Sequence, residues 1–481
     1  MMLGIDIGTQ SLKAVILTPE FAVLGEGAVA YQPTFPQAGW AEQDPLLWER
    51  ALKPAIGAAL AAARLSPQDI ASIGIAGQLD GVVAVDDAGN PVHPCIIWMD
   101  RRAETEIADI DADLVLRRCG VILDASHPAA KIRWLKKHVR ARRFHVPVSH
   151  VVSRLVGSNV IDHATASTTM VYGLAARDYD AELLFDFGIE RDQLPEPRAA
   201  DSLAGELTRR GSELTGLPAG LPVAVGTADD FASTLGAGIA APGRFINVLG
   251  TAEVAGAPCA ELLIDAQRLV ETHAFTGGHY FIENPGWLSG GAITWFCNTF
   301  GVAGAQAFDK LAATAPPGCD GVTFIPALAG AMAPRWIASA RASFTGLNAS
   351  HGSQHMARAV LEGTAFAMKD VLDRVLAMGV PVEALRIVGG GAKSQLWTQI
   401  RADLTGLPAE VPQHLDTSAI GAALLGGWAA GRVADIIGAA QKIAAPLAVV
   451  LPSAANMAAC NMAYQRYRSV FDHLHAAKTK T

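Results

Sequence analysis

Apolar and polar residues alternate in two short runs at the start of the chain, Leu3-Gly-Ile-Asp-Ile and Leu12-Lys-Ala-Val-Ile-Leu, separated by Gly8-Thr-Gln-Ser. A period of two interrupted by a glycine-containing turn predicts a hairpin. The period then lengthens to that of a helix over residues 45–64, where Leu46, Leu47, Ala51, Leu52 and Ile56 share a side, and returns to strand over 70–76. Such alternation predicts α/β layers. A second hairpin-like opening, Arg244-Phe-Ile-Asn-Val-Leu-Gly-Thr, carries Gly250-Thr251 where the first carries Gly8-Thr9. Just before it runs Gly236-Ala-Gly-Ile-Ala-Ala-Pro-Gly243, small residues suited to a hinge. The lobe boundary is therefore expected there, with residues 1–243 forming an N-terminal lobe and 244–481 a C-terminal one. The last pattern is an amphipathic helix over 454–475 with Tyr464, Tyr467, Phe471 and Leu474 on one face, expected to close over a lobe.

Composition narrows the class. A chain of 481 residues, 51% of them hydrophobic, can bury more than one core. A net charge of -8 argues against a protein that holds nucleic acid by neutralising phosphates. The six cysteines (Cys95, Cys119, Cys259, Cys297, Cys319, Cys460) form no C-x-x-C pair and read as ordinary thiols. The opening apolar run is interrupted by Asp6 and has no basic leader, and the apolar stretch 419–431 is too short to cross a bilayer. The expectation is a soluble cytoplasmic protein with neither a nucleic-acid nor a membrane partner.

Three segments carry chemistry. Asp6 places a carboxylate inside an apolar strand, which is costly unless a cation or a hydrogen bond meets it; magnesium would serve. The turn after it, Gly8-Thr9-Gln10-Ser11, and then Lys13, offer N–H groups, hydroxyls and a cation suited to phosphate oxygens, although an ordinary hairpin with a satisfied Asp explains them equally well. Asp229 ends the apolar run that starts at Leu221 and begins a helical stretch with Asp230, a junction that commonly faces a cleft; the plainer reading is a helix cap. Third, Val388-Gly389-Gly390-Gly391-Ala392-Lys393-Ser394 runs a strand into three glycines, more than a structural turn needs, which lets a nucleotide lie against backbone. Two look-alikes are set aside. Gly236-Ala-Gly-Ile-Ala-Ala spells a dinucleotide fingerprint but lies mid-chain away from a strand, and His351 with His355 lacks the Glu of a zinc helix, so both His read as helix-start polar residues. The terminal His473-Leu-His475 reads as solvated.

Together these segments resemble the FGGY carbohydrate kinases of the actin, Hsp70 and hexokinase superfamily, from Gly4 to about Gly426. Gly4-Ile-Asp-Ile-Gly-Thr-Gln-Ser-Leu-Lys13 looks like the family's first phosphate loop, Leu249-Gly-Thr-Ala252 like its second, and Gly389-Gly-Gly-Ala-Lys-Ser394 like its adenosine loop. Trp40-Ala-Glu-Gln-Asp-Pro45, Gly74-Ile-Ala-Gly-Gln78 and Trp98-Met-Asp-Arg-Arg102 are similar to sugar-lobe segments; Phe344-Thr-Gly-Leu347 and Arg358-Ala-Val-Leu-Glu-Gly363 resemble the signature of the nucleotide lobe.

The resemblance implies a two-lobed α/β, ribonuclease H-like fold with an interlobe cleft, an ATP-dependent kinase acting on a small-molecule sugar, and ATP with Mg2+ as cofactors. It makes Asp229, in Gly226-Thr-Ala-Asp229, the general base and Asp6 the metal ligand. Gln78, Leu79, Asp80, Trp98, Asp100, Asp229 and Asp230 are the expected sugar contacts. Gly8, Thr9, Gln10, Ser11, Lys13, Gly250, Thr251, Gly290, Gly389, Gly390, Gly391, Ala392 and Ser394 are the expected nucleotide contacts.

Within the family the likeness is greatest to xylulokinases, which makes a ketopentose such as D-xylulose the expected substrate. Three departures bear on that. Leu79-Asp80 stands where xylulokinases carry Met-His, the Arg-Glu pair of glycerol kinases is missing, and Ser149-His150 replaces the usual Asp-Tyr. Another ketose or polyol of the family is the alternative. A non-catalytic sugar sensor would have no need of Asp229, and a chaperone-like or filament ATPase would lack the Trp40 and Gln78 segments. A homodimer is the assembly entertained.

Overall fold

The computed structural model describes residues 1–475. Two seven-stranded mixed sheets form the two halves of the molecule. In the first, Met2–Ile7 pairs antiparallel with Ser11–Leu17, and that strand pairs antiparallel with Val23–Ala30. On its other side Met2–Ile7 pairs parallel with Ser72–Gly77, which is parallel to Pro222–Ala224 and to the short Thr227–Ala228. The second sheet repeats this plan. Gly243–Leu249, Glu253–Cys259 and Tyr280–Trp287 form the antiparallel meander, followed on the other side by the parallel strands Val382–Val388 and Ala409–Pro412. The Gly-Thr echo in the sequence is thus a topological one. Gly8-Thr9 and Gly250-Thr251 both occupy the turn between the first two strands of a sheet.

Several predicted elements appear with their residues. The helix over 45–64 is Pro45–Ala63, capped by Asp44, and the terminal helix is Ala454–His475. On that last helix Tyr464, Tyr467 and Phe471 are buried as expected, but Leu474 is 46% exposed, and His475 takes the inward place one residue on. His475, expected in solvent, is instead buried with its ring 4.6 Å from that of Phe471. His351 and His355 behave as expected at a helix start, their ring nitrogens accepting from the N–H groups of Asn348 and Gly352. The six cysteines are free and buried.

The apolar stretch 419–431 has a use the sequence did not reveal. It forms the helix Ser418–Ala429, in which every residue from Ser418 to Gly427 is buried. Although it follows the last parallel strand of the second sheet, it packs on Met2–Ile7 and Ser72–Gly77 of the first and on the helix Asp229–Gly236. Glycines make this possible: a Cβ on Gly4 would lie 1.8 Å from the Ala419 carbonyl oxygen, and one on Gly74 1.7 Å from that of Ala422. The stretch read as a hinge is also partly packing surface. A Cβ on Gly236 would meet the Thr417 oxygen at 2.0 Å, and Gly238 (φ +84) abuts Ala440 and Ala444. Gly238 thus needs glycine for both its φ and its packing, whereas Gly243, at φ +116 with open space around it, keeps glycine for backbone freedom alone. Among the described residues no helix is long and apolar enough to cross a membrane.

Candidate active site

The glycine turns converge. A Cβ on Gly389 would lie within 2.8–3.0 Å of the Leu249 backbone, and Gly391 presses on the Leu249 side chain, so the third turn rests on the residue just before Gly250-Thr251. Gly290 and Gly291 donate their N–H groups to the Gly250 and Thr251 carbonyls at 3.0 Å each. One dipeptide ties this group to the first turn. Leu415 accepts the Gly389 N–H at 2.8 Å, and Asp416, next in the chain, pairs with Lys13. The sequence offered no signal for Asp416, which reads as an ordinary helix-start residue. Ser394 spends its hydroxyl capping the next helix at Trp397.

Behind the second turn lies a fully buried ion pair. Arg401 meets both carboxylate oxygens of Glu253 at 3.1 and 3.2 Å, while Asn247 Nδ2 donates to Glu253 at 2.6 Å and Ser289 also bonds it. This network holds the start of Glu253–Cys259, and with it the turn, in one geometry.

Thr9, in the first turn, is the node of the predicted sugar segments. Its hydroxyl accepts from Trp98 Nε1 at 3.1 Å and contacts Gln78 Oε1 at 3.5 Å, and its carbonyl accepts from Gln43 at 2.7 Å. Gln78 in turn donates to Gln43 at 2.7 Å. Trp98 remains 37% exposed, an apolar face beside a polar network. Asp100 is placed differently from the expectation of a sugar contact. It is wholly buried, and both oxygens are occupied by Arg102 and the Ala41 N–H, the latter at 2.6 Å. Arg102 stacks on Trp40 at 3.5 Å, so Asp100 shapes this corner of the lobe and has no oxygen to offer.

Asp229 begins the helix Asp229–Gly236, but the cap position is Ala228 and makes no side-chain cap bond. The strand before it is pinned from behind: Thr227 donates to Asp162 at 2.8 Å and the Ala228 N–H to Thr165 at 2.9 Å. Burial, then the charge of Asp230, pushes the Asp229 carboxyl up to about 8, with the N–H groups of Asp229, Asp230 and Leu79 acting in the opposite sense. Asp230 is pushed up to about 7 by burial and by Asp80 and Asp6. A plain helix cap has the opposite character, because N–H groups at a helix start lower a carboxyl.

Asp6 is 6% exposed and its Oδ1 has no hydrogen-bond partner. Burial and Asp229 raise it to about 7, against the pull of Lys13. An orphaned oxygen beside the first glycine turn fits magnesium, a cation that is commonly held by one or two carboxylates with water and phosphate completing its shell. Among the described residues no group of three or more His, Cys, Asp or Glu could hold a metal without such help.

Of the wall that follows, sequence reasoning named only Asp80. Asp80, at φ +54, points one oxygen at His127 Nδ1 (3.4 Å), whose Nε2 lies 3.5 Å from Glu271. His273 Nε2 follows at 3.9 Å from Glu271 and 3.2 Å from Glu283. Asp80 and Glu271 hold His127 well above its ordinary value, and His127 with Lys131 holds Asp80 below its own. Lys131 donates to the Asp80 carbonyl at 2.6 Å. His127 stands alone before a proline in sequence, and Glu271 and Glu283 look like ordinary strand residues, so only their meeting marks them.

Comparison with known proteins bears on the family and the fold. The family model described as the FGGY family of carbohydrate kinases, N-terminal domain, matches residues 1–236, and its C-terminal domain matches 246–430. A glycerol kinase of Saccharopolyspora erythraea is 31% identical over 455 residues, covering 89% of this chain and 90% of its own. A gluconokinase of Bacillus subtilis is 29% identical over 469 residues, covering 92% and 91%. Among solved structures, a "xyloylose kinase" from Brucella ovis superposes with a TM-score of 0.91 at 30% identity, over 99% of this chain and 100% of that one.

Proposed function

We propose that this chain, which belongs to the FGGY family of carbohydrate kinases, transfers the γ-phosphoryl group of ATP to a hydroxyl of a neutral ketose or polyol, with D-xylulose the first candidate. The observation that carries the reading is Asp229, a carboxylate raised to about 8 at a strand-to-helix junction whose neighbours are further hydrogen-bond acceptors. Asp229 orients the acceptor hydroxyl and receives its proton. A carboxylate cannot ionise an alcohol beforehand, so the proton moves late, as the oxygen–phosphorus bond forms. The raised pKa makes this carboxylate a stronger base than an exposed one.

The N–H groups and hydroxyls of the first turn, with Lys13, hold phosphate oxygens, and Gly250-Thr251, Gly290 and Gly389-Gly-Gly391 bring backbone against the nucleotide. Asp6 would hold Mg2+, which when bound neutralises charge on the transferring phosphate. Movement of the lobes about Gly243 would exclude water, the competing acceptor.

The acid-lined wall bears on substrate class. Asp80, Asp230, Glu271 and Glu283 line it with carboxyl oxygens, and His127 and Lys131 are already engaged by Asp80 and Glu271, so the wall has no cation to spare for an anionic sugar such as gluconate. Hydroxyls meet acceptors instead. Glycerol is disfavoured because Leu79-Asp80 provides no Arg at that turn. The test is ADP release with D-xylulose, other pentuloses, tetritols, pentitols, glycerol and gluconate. Turnover of a neutral sugar or polyol supports the reading; turnover confined to gluconate, or none at all, rejects it.

A further inference from the structure

Glu271 and Glu283 are register partners across the antiparallel strands Glu271–Ala274 and Tyr280–Trp287. Both side chains are 2% exposed. Like charges directly opposite on neighbouring strands destabilise a sheet, and removing them from water adds to the cost. A fold retains such a pair only where something else compensates.

Glu271 is compensated. It accepts the Ile122 N–H at 2.9 Å and faces His127 at 3.5 Å. Glu283 is not. Its one close partner is His273, which burial holds down at about 4 and therefore neutral, and its Oε2 is buried with no hydrogen-bond partner at all. The surroundings keep this position open for it, since Gly256 lies opposite and a Cβ there would come within 2.8 Å of the Glu283 Cβ.

Although Glu283 belongs to the second sheet, the groups that raise its carboxyl include Asp230, Asp80 and Asp229 of the first half, along with Glu271. His273, 3.2 Å from Glu283, sets its ring 5.7 Å from that of Phe231 on the helix Asp229–Gly236, so the Glu283 side chain is directed toward the helix that begins at Asp229. Asp80 Oδ1, from the first half of the chain, is likewise buried without a partner.

We propose that Glu283 is a specificity-determining residue of the sugar site, its free Oε2 exchanging a hydrogen bond with a substrate hydroxyl remote from the one phosphorylated. The inference rests on the kinase reading above and adds to it that the second lobe completes the sugar site. Asp80 comes from the first half of the chain and Glu283 from the second, so a sugar bonded to both ties the two together, and its binding energy favours the closed form. Water alone makes no such bridge, which keeps ATP hydrolysis low while sugar is absent.

The test uses the full chain, the sugar that the substrate panel identifies, and its monodeoxy analogues. Glu283→Ala is expected to raise KM for that sugar roughly 10- to 100-fold, the worth of a hydrogen bond to a charged or strongly polar group, with KM for ATP within about twofold. One deoxy analogue, lacking the contacted hydroxyl, should be turned over equally by the variant and the wild type. Glu283→Gln, which keeps the shape, carries the same comparison if the alanine variant fails to fold. An unchanged sugar KM, or the same loss with every analogue, overturns this inference alone. A wild-type chain that phosphorylates no sugar or polyol overturns the kinase reading and this inference with it.

Discussion

Replacing Asp229 with Asn keeps the size of the side chain and removes its capacity to take a proton. A positioned general base contributes roughly 10²- to 10⁴-fold, so turnover should fall by that factor, about 3–5 kcal/mol of transition-state free energy. The structure adds a pH dependence. With its carboxyl raised to about 8, Asp229 is only about one-tenth ionised at pH 7. The base acts in its ionised form, so log kcat/KM should climb with unit slope from pH 6 and level off above about pH 8. Asp230 is the largest charge pressing Asp229 upward, and Asp230→Asn should move that midpoint lower. The assay is ADP release across this pH range at saturating and limiting sugar, with equilibrium ATP binding measured alongside to show that the nucleotide site is intact. Turnover of Asp229→Asn within threefold of wild type, or a flat profile between pH 6 and 9, would refute the assigned role.

Four further outcomes are expected. Asp80→Ala should raise KM for sugar much more than for ATP; equal effects on both would remove Asp80 from the sugar site. Asp6→Asn should raise the Mg2+ concentration needed for half-maximal rate by roughly tenfold or more while leaving sugar KM unchanged, since Asp6 is the one orphaned carboxylate by the first turn. Glu253→Gln breaks the buried pair with Arg401 and should cost about 3–5 kcal/mol, read from urea unfolding, because it strands a buried guanidinium. Asp6, Asp229 and Asp230 are raised in the folded state, so the stability they contribute is present below about pH 4, their unfolded range, and is lost as pH rises through about 7–8. Asp229→Asn should accordingly raise Tm at pH 8 but not at pH 4 in buffer free of nucleotide and metal; a lower Tm at pH 8 would contradict the buried-charge argument.

The glycine turns proposed to hold phosphate were legible because they are local. The Gly8 and Gly389 turns each place their groups within a few consecutive residues, and Asp229 stands at a boundary between two periodicities that the sequence displays. The sugar side was legible only in part. Gln78, Trp98 and Asp80 belong to recognisable segments, but Asp100 belongs to one too and proves to be fully engaged by Arg102, a distinction that needs hydrogen-bond partners.

By itself the sequence determined the two hairpin openings, the helix periods, the glycine turns and the position of the strand-to-helix junction at Asp229, because strand alternation, capping and backbone freedom depend on near neighbours in the chain. Only the tertiary structure decided what meets across long separations. It laid the helix Ser418–Ala429 on the first sheet, where Gly4 and Gly74 leave no side chain to obstruct it, and it joined Asp80, His127, Glu271, His273 and Glu283 into one wall. Burial and neighbouring carboxylates then raise Glu283, while His127 and Lys131 lower Asp80. Both depend on distances through space, which residue order does not encode.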